Sequence, residues 1–184
     1  MNAVAWQEEL ELERRQKDEF LALHPQSPIK LEDRVGLKSL DYFPPNPDCR
    51  FVLELYRHDT PDTITVEDTS GGTRQMLRWG EFRFEIDRQQ CTLQAYRSDS
   101  TDQRLFLPFR DETNGEETYP AGRYIDLEPA HNLRTDGTWV VDLNRAYNPW
   151  CAYSEQYACP FVLPENWLKV RIPAGEKAFR ANNQ

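Results

Sequence analysis

The sequence predicts a mainly β fold: a small antiparallel β-barrel or roll of about eight strands, with an N-terminal α-helix and a second short helix. Two observations carry this expectation. From Phe51 onward the apolar residues recur with a period of two, as they do on a half-buried strand. Turn signals then break these runs at intervals of roughly 8–12 residues, as in antiparallel folds. Composition agrees, with 39% hydrophobic but 12% aromatic residues, which suits a compact aromatic core carrying a polar extension. The 184 residues suffice for one domain, set here as 1–184. Within it, 1–36 form a helical extension, 37–179 a β-rich core and 180–184 a tail.

Residues 3–23 have the composition of a charged helix, on which Trp6, Leu10, Phe20 and Leu21 form a broken apolar stripe. Such a stripe anchors a helix at its two ends, over its own barrel or across a homodimer. In HPQSPIKLEDR, Ser27 is placed as N-cap and Pro28 at the first helical position of a short helix ending near Gly36. YFPPNPDCR is a Pro-rich connector. FVLELY then reads as one strand, DTITVEDT as a second and SGGT as the turn after it. MLRWGEFRFEID and CTLQAY read as a hairpin about an Arg88-Gln89-Gln90 turn, with Phe82, Phe84, Cys91 and Leu93 inward. RLFLPF, TYPAGRYIDL, TWVVDLN and WLKVRI supply four more strands.

Charge and processing signals narrow the function classes. A net charge of −9 repels phosphate backbones, which argues against nucleic-acid binding. No apolar run reaches membrane-span length, and the N-terminus lacks the basic start and apolar stretch of a signal peptide. The expectation is therefore a cytoplasmic, acidic protein with no membrane partner, whose four cysteines are free thiols.

Polar, aromatic and cysteine residues crowd between Arg104 and Lys177. In RDETNGEETYPAGR, Asn114-Gly115 signals a hairpin turn and Gly122 a close backbone approach. Either its charges face water, or Arg110, Thr118, Tyr119 and Arg123 line a pocket and bind an anion, for which the arginine fork is suited. RYIDL and VVDLN bring Asp126 and Asp142 together if they pair, as two solvated acids or as an acid–base couple. NRAYNPWCAYSEQYACP has no strand period but holds four aromatic residues, and reads as a loop packed over a barrel end. Its Cys151 and Cys159, with seven residues between them, match no zinc spacing, which leaves buried thiols, a redox pair or a Cys151 nucleophile. His24, His58 and His131 are scattered, and no metal set is assigned.

Several blocks together resemble one family. ERRQKDEF, GLKSLDYFPPNP, LFLPFRDETNGEETYPAGRYIDL, DLNRAYNPWCAYSEQYACP, PEN and AGEK stand in the order and spacing of the bacterial and archaeal family catalogued as domain of unknown function 1684. Pro120 and Trp150 depart from its pattern without removing a functional group. The resemblance implies no particular activity, substrate or cofactor; it marks a region.

Two readings of different class follow. In the first, a small anionic ligand binds at one end of the barrel. Arg110 and Arg123 hold its charge with Thr118, Tyr119 and Tyr147 form walls, and Asn144 and Asn148 orient it beside Asp142. Asp142 is then the candidate acid or base and Cys151 the candidate nucleophile, should the protein be an enzyme. In the second, the polar block is a structural hydrogen-bond network, and function lies in contact or oligomerisation through the N-terminal helix. The cofactor is left unassigned; a flavin in a split barrel rests on fold analogy alone.

Overall fold

Asn2 begins the first element by accepting the Ala5 amide at 2.8 Å with its side chain, the N-cap geometry that satisfies one orphan donor. The computed structural model describes residues 2–180, so all of the expected tail but its first residue lies outside them. Helix α1 (Ala3–Leu23) is followed by strands β1 (Arg50–Leu53), β2 (Tyr56–Glu67), β3 (Thr73–Ile86), β4 (Gln89–Arg97), β5 (Leu105–Phe109) and β6 (Arg123–Leu127). A single-turn helix α2 (Pro129–Asn132) and strand β7 (Trp139–Asp142) complete the regular elements, with short 3-10 turns between them.

The fold is mainly β, built from two antiparallel sheets. One is a meander of five strands in the order β2-β3-β4-β5-β6, and the other is the ribbon β1-β7. No closed barrel forms among the described residues, because β2 and β6 remain the two edges of the larger sheet. The inward faces of β3 to β6 bury Phe82, Phe84, Leu93, Leu105, Leu107 and Ile125. The ribbon packs Phe51, Trp139 and Val141 into the same core.

Several local expectations change once backbone partners are known. FVLELY is not one strand: β1 pairs with β7, in register Phe51↔Val141, whereas Tyr56 opens β2 opposite Glu81. The two lie in different sheets, a break that alternation cannot reveal. The β3–β4 turn is Asp87-Arg88, with φ of 50° and 63°, so both central residues are left-handed as a two-residue hairpin turn requires. WLKVRI keeps its alternation, burying Leu168, Val170 and Ile172, but it is not a strand of either sheet. Its backbone follows the loop after β5 instead: Leu168 N–H donates to the Arg110 carbonyl at 2.8 Å, and Val170 accepts from Glu112 at 2.9 Å.

Ser27 is not a helix N-cap. Its hydroxyl donates to the Leu21 carbonyl at 2.7 Å and accepts the Ile29 amide, making a turn after α1, and only a 3-10 turn forms at Leu31–Arg34. Gly80 marks a register shift between β3 and β4. A Cβ there would lie 2.6 Å from the Tyr56 carbonyl oxygen, so only glycine lets β2 approach so closely.

Candidate functional site

Three polar assemblies emerge from the block that the sequence singled out. The first fixes the loop after β5. Arg123 is fully buried and donates to Asp111 at 3.0 Å, to the carbonyls of Ile172 at 3.1 Å and Glu176 at 3.2 Å, and to that of Ala174. Asp111 also accepts from the Thr113 hydroxyl at 2.8 Å and the Ile172 amide at 2.8 Å. Burial lowers the Arg123 pKa and Asp111 opposes that shift. Thr118 joins the same assembly, its hydroxyl 2.9 Å from both Thr113 Oγ1 and Asn114 Nδ2. These two predicted anion ligands thus have protein partners and face the interior.

The second assembly lies beneath α1. Asp142 accepts Trp6 Nε1 at 2.7 Å and Arg145 at 2.6 Å on one oxygen, and the Asn144 backbone and side-chain amides on the other. Asn144 in turn exchanges two hydrogen bonds with the backbone of Asn46. Buried Glu176 takes Lys17 from α1, the Asn148 amide at 2.7 Å and the Tyr153 hydroxyl at 2.8 Å. Asn148 donates to the Lys177 carbonyl. Asp142, Asn144 and Asn148 therefore tie the N-terminal helix and the C-terminal segment to the core. Asp126 does not join Asp142, because β6 pairs with β5 and β7 with β1.

The third assembly is open. Tyr124 and Asp126 point from β6 to the face opposite the core. With β3, the end of β4, β5 and the Pro149–Pro160 loop they border a cleft of about 570 Å³. Arg74 and Arg104 supply its positive charge and Asp102 and Asp126 its negative charge, while Arg97 borders it at the end of β4. Arg74 leans on Asp68 at 3.5 Å. Arg97 and Arg104 have no carboxylate within 4.0 Å among the described residues. Arg97 lies 3.8 Å over the Trp79 ring, and its buried Nε has no acceptor. Its pKa is lowered by burial and by neighbouring Arg57.

Aromatic rings line the rest of the cleft. Trp150 and Tyr157 meet edge to face at 4.9 Å, and Phe106 meets Tyr124 in the same way. The Tyr147 hydroxyl donates to Asp126 at 2.5 Å, and burial followed by that carboxylate pushes its pKa up. Of the predicted ligand-binding residues only Tyr147 borders this cleft. Arg110 instead stacks 4.8 Å over Trp167. Tyr119 reaches Cys151, its hydroxyl 3.8 Å from the sulfur. No group of three or more His, Cys, Asp or Glu side chains gathers as a metal set among the described residues.

A family model described as "Protein of unknown function (DUF1684)" matches residues 36–177. The chain belongs to this family. The DUF1684 match begins after α1 and contains the first and third assemblies, and the second apart from its α1 residues Trp6 and Lys17. The solution NMR structure of an uncharacterized protein from Haloarcula marismortui is similar to this chain with a TM-score of 0.72 and 37% identity, over 94% of each chain. No curated protein matches the sequence. No helix among the described residues is long and apolar enough to cross a membrane.

The cleft arginines escaped sequence reading. Arg74, Arg97 and Arg104 sit in unrelated segments with no shared spacing, and a charged residue at a strand end is ordinarily solvated. The one available signal was the aromatic content of the loop around Trp150 and Tyr157.

Proposed function

We propose that this DUF1684 protein binds a small ligand carrying an anionic group and a flat apolar part, in the cleft bordered by β6 and the Pro149–Pro160 loop. The observation that carries this reading is Arg104, whose guanidinium has no carboxylate within 4.0 Å among the described residues, at a cleft walled by Phe106, Trp150 and Tyr157, with Arg97 at its rim stacked on Trp79. Guanidinium forks bind carboxylate or phosphate with two parallel hydrogen bonds, and aromatic walls accept a planar ring. Asp126, held by Tyr147, supplies an acceptor that would orient a donor group on the ligand.

The reading moves the ligand away from Arg123, Thr118, Asn144 and Asn148. Their hydrogen bonds support the alternative of a structural network for that part of the block. The interaction-module half of that alternative has less support, since Trp6, Leu10 and Leu21 are spent on the helix's own domain.

Titration with benzoate and, separately, inorganic phosphate, followed by amide NMR shifts, tests the proposal. Benzoate is expected to move resonances around residues 97, 104, 126 and 157. Arg97→Gln with Arg104→Gln is expected to weaken binding about tenfold, the worth of a charge-assisted hydrogen bond. Unchanged spectra with both probes, or equal affinity in the double variant, would overturn it.

A further inference from the structure

Four cysteines are free, and their surroundings divide them into two kinds. Cys49 and Cys91 are buried in the main core, where loss of water pushes the Cys49 thiol up to about 11 and raises Cys91 as well. Cys151 and Cys159 meet in the loop beside the cleft, away from that core. The Cys151 backbone N–H donates to Cys159 Sγ at 3.3 Å, so one sulfur sits against the other residue's own backbone. The Tyr119 hydroxyl reaches the Cys151 sulfur at 3.8 Å. The Cys159 amide is fixed by Thr69 Oγ1 at 3.1 Å, which sets the partner's place in the loop. Cys151 is partly exposed and Cys159 lines the cleft.

We propose that Cys151 and Cys159 form a peroxide-reactive dithiol, with Cys151 as the attacking and Cys159 as the resolving residue. The site does not depend on the ligand reading of the cleft. In the first step the Cys151 thiolate attacks one oxygen of hydrogen peroxide. A sulfur–oxygen bond forms, the O–O bond breaks, and hydroxide leaves. In the second step Cys159 sulfur attacks the sulfenic sulfur. A disulfide forms, and the hydroxyl of the sulfenic acid leaves with the Cys159 proton as water. Peroxide is reduced by two electrons and the two thiols are oxidised by two. A small-molecule thiol reverses the change by exchange.

The surroundings fit both roles. A nucleophilic sulfur needs donors that favour its thiolate, and the Cys159 thiol followed by the Tyr119 hydroxyl lowers the Cys151 pKa to about 6 against the opposing effect of burial. Cys151 in turn raises the Cys159 pKa, which keeps this sulfur protonated until the first step is complete. Closure would shift the wall that Trp150 and Tyr157 build, because both flank the two cysteines.

The test exposes the fully reduced chain to stoichiometric hydrogen peroxide at neutral pH and maps the products by intact and peptide mass. A Cys151–Cys159 disulfide is expected, with the loss of two hydrogens and full reversal by dithiothreitol. Cys151 should react at least about tenfold faster than Cys49 or Cys91, as its thiolate fraction and exposure predict. Cys159→Ser should leave a sulfenic acid on Cys151 that dimedone captures. Cys151→Ser should slow oxidation of the remaining cysteines to the rate of Cys49. A disulfide involving Cys49 or Cys91, no disulfide in the unmutated chain, or equal rates for Cys151→Ser and the unmutated chain would overturn the proposal.

Discussion

At the scale of single residues, burial decides what a charged side chain does. Arg123 shares a composition with any ligand-binding arginine, yet its guanidinium meets Asp111 and three backbone carbonyls inside the core. Removing one partner of such a pair leaves the other desolvated and unpaired. Arg123→Ala should therefore cost about 3–5 kcal/mol in urea unfolding, through a buried Asp111 without its cation. A loss below 1 kcal/mol would move Arg123 out of the scaffold. The cysteine pair gives a second residue-level prediction. The folded Cys151 titrates near 6, whereas an unfolded thiol titrates near ~8.5. A group with a lowered folded value contributes stability that is fully present above the unfolded value and lost as pH falls through the folded one. Cys159 is shifted upward, so its contribution is present below ~8.5 and is lost at higher pH. Under reducing conditions the pair's contribution should rise from about pH 6, peak near ~8.5 and fall beyond. Denaturation of the unmutated chain against Cys151→Ala across this range reads it, and a flat difference would contradict it.

At the scale of elements, α1 illustrates how sparse an apolar stripe can be and still dock. Its mean composition is charged, but Trp6, Leu10 and Leu21 are buried and its polar residues are used as well. Arg14 donates to the Phe43 and Asn144 carbonyls, Glu13 pairs with Arg145 and Lys17 with Glu176. The helix thus covers two buried carboxylates of its own chain, Asp142 and Glu176, and its stripe packs against that chain. Leu21→Ala should destabilise the protein by about 2–5 kcal/mol in thermal or urea unfolding, the usual cost of truncating a buried leucine. Strand ends gave the opposite lesson. The alternation in WLKVRI correctly assigns Leu168, Val170 and Ile172 to the interior, but period two describes side chains and is blind to which backbone accepts the hydrogen bonds.

At the scale of the whole molecule, the chain carries a net charge of −9 and still gathers Arg74, Arg97 and Arg104 at one cleft. The β-rich class, the helix over residues 3–23, the inward faces of β3 and β4 and the family were all legible in the sequence. Each rests on local periodicity, local turn chemistry or ordered motifs. The crowded region between Arg104 and Lys177 was legible too, since polar and aromatic density survives in one dimension. The roles within it were not. Whether Arg123 faces a ligand or a carboxylate, whether Asp126 meets Asp142, and which arginines flank the aromatic loop depend on strand pairing across long separations. β6 pairs with β5 and β7 with β1, and that long-range choice parts the two aspartates and opens the cleft. The sequence alone determined which residues alternate between core and surface and where polar chemistry concentrates, because both follow from neighbours along the chain. Only the tertiary structure decided which polar groups are satisfied internally and which line an open cleft, because hydrogen bonds and burial are shared between distant segments.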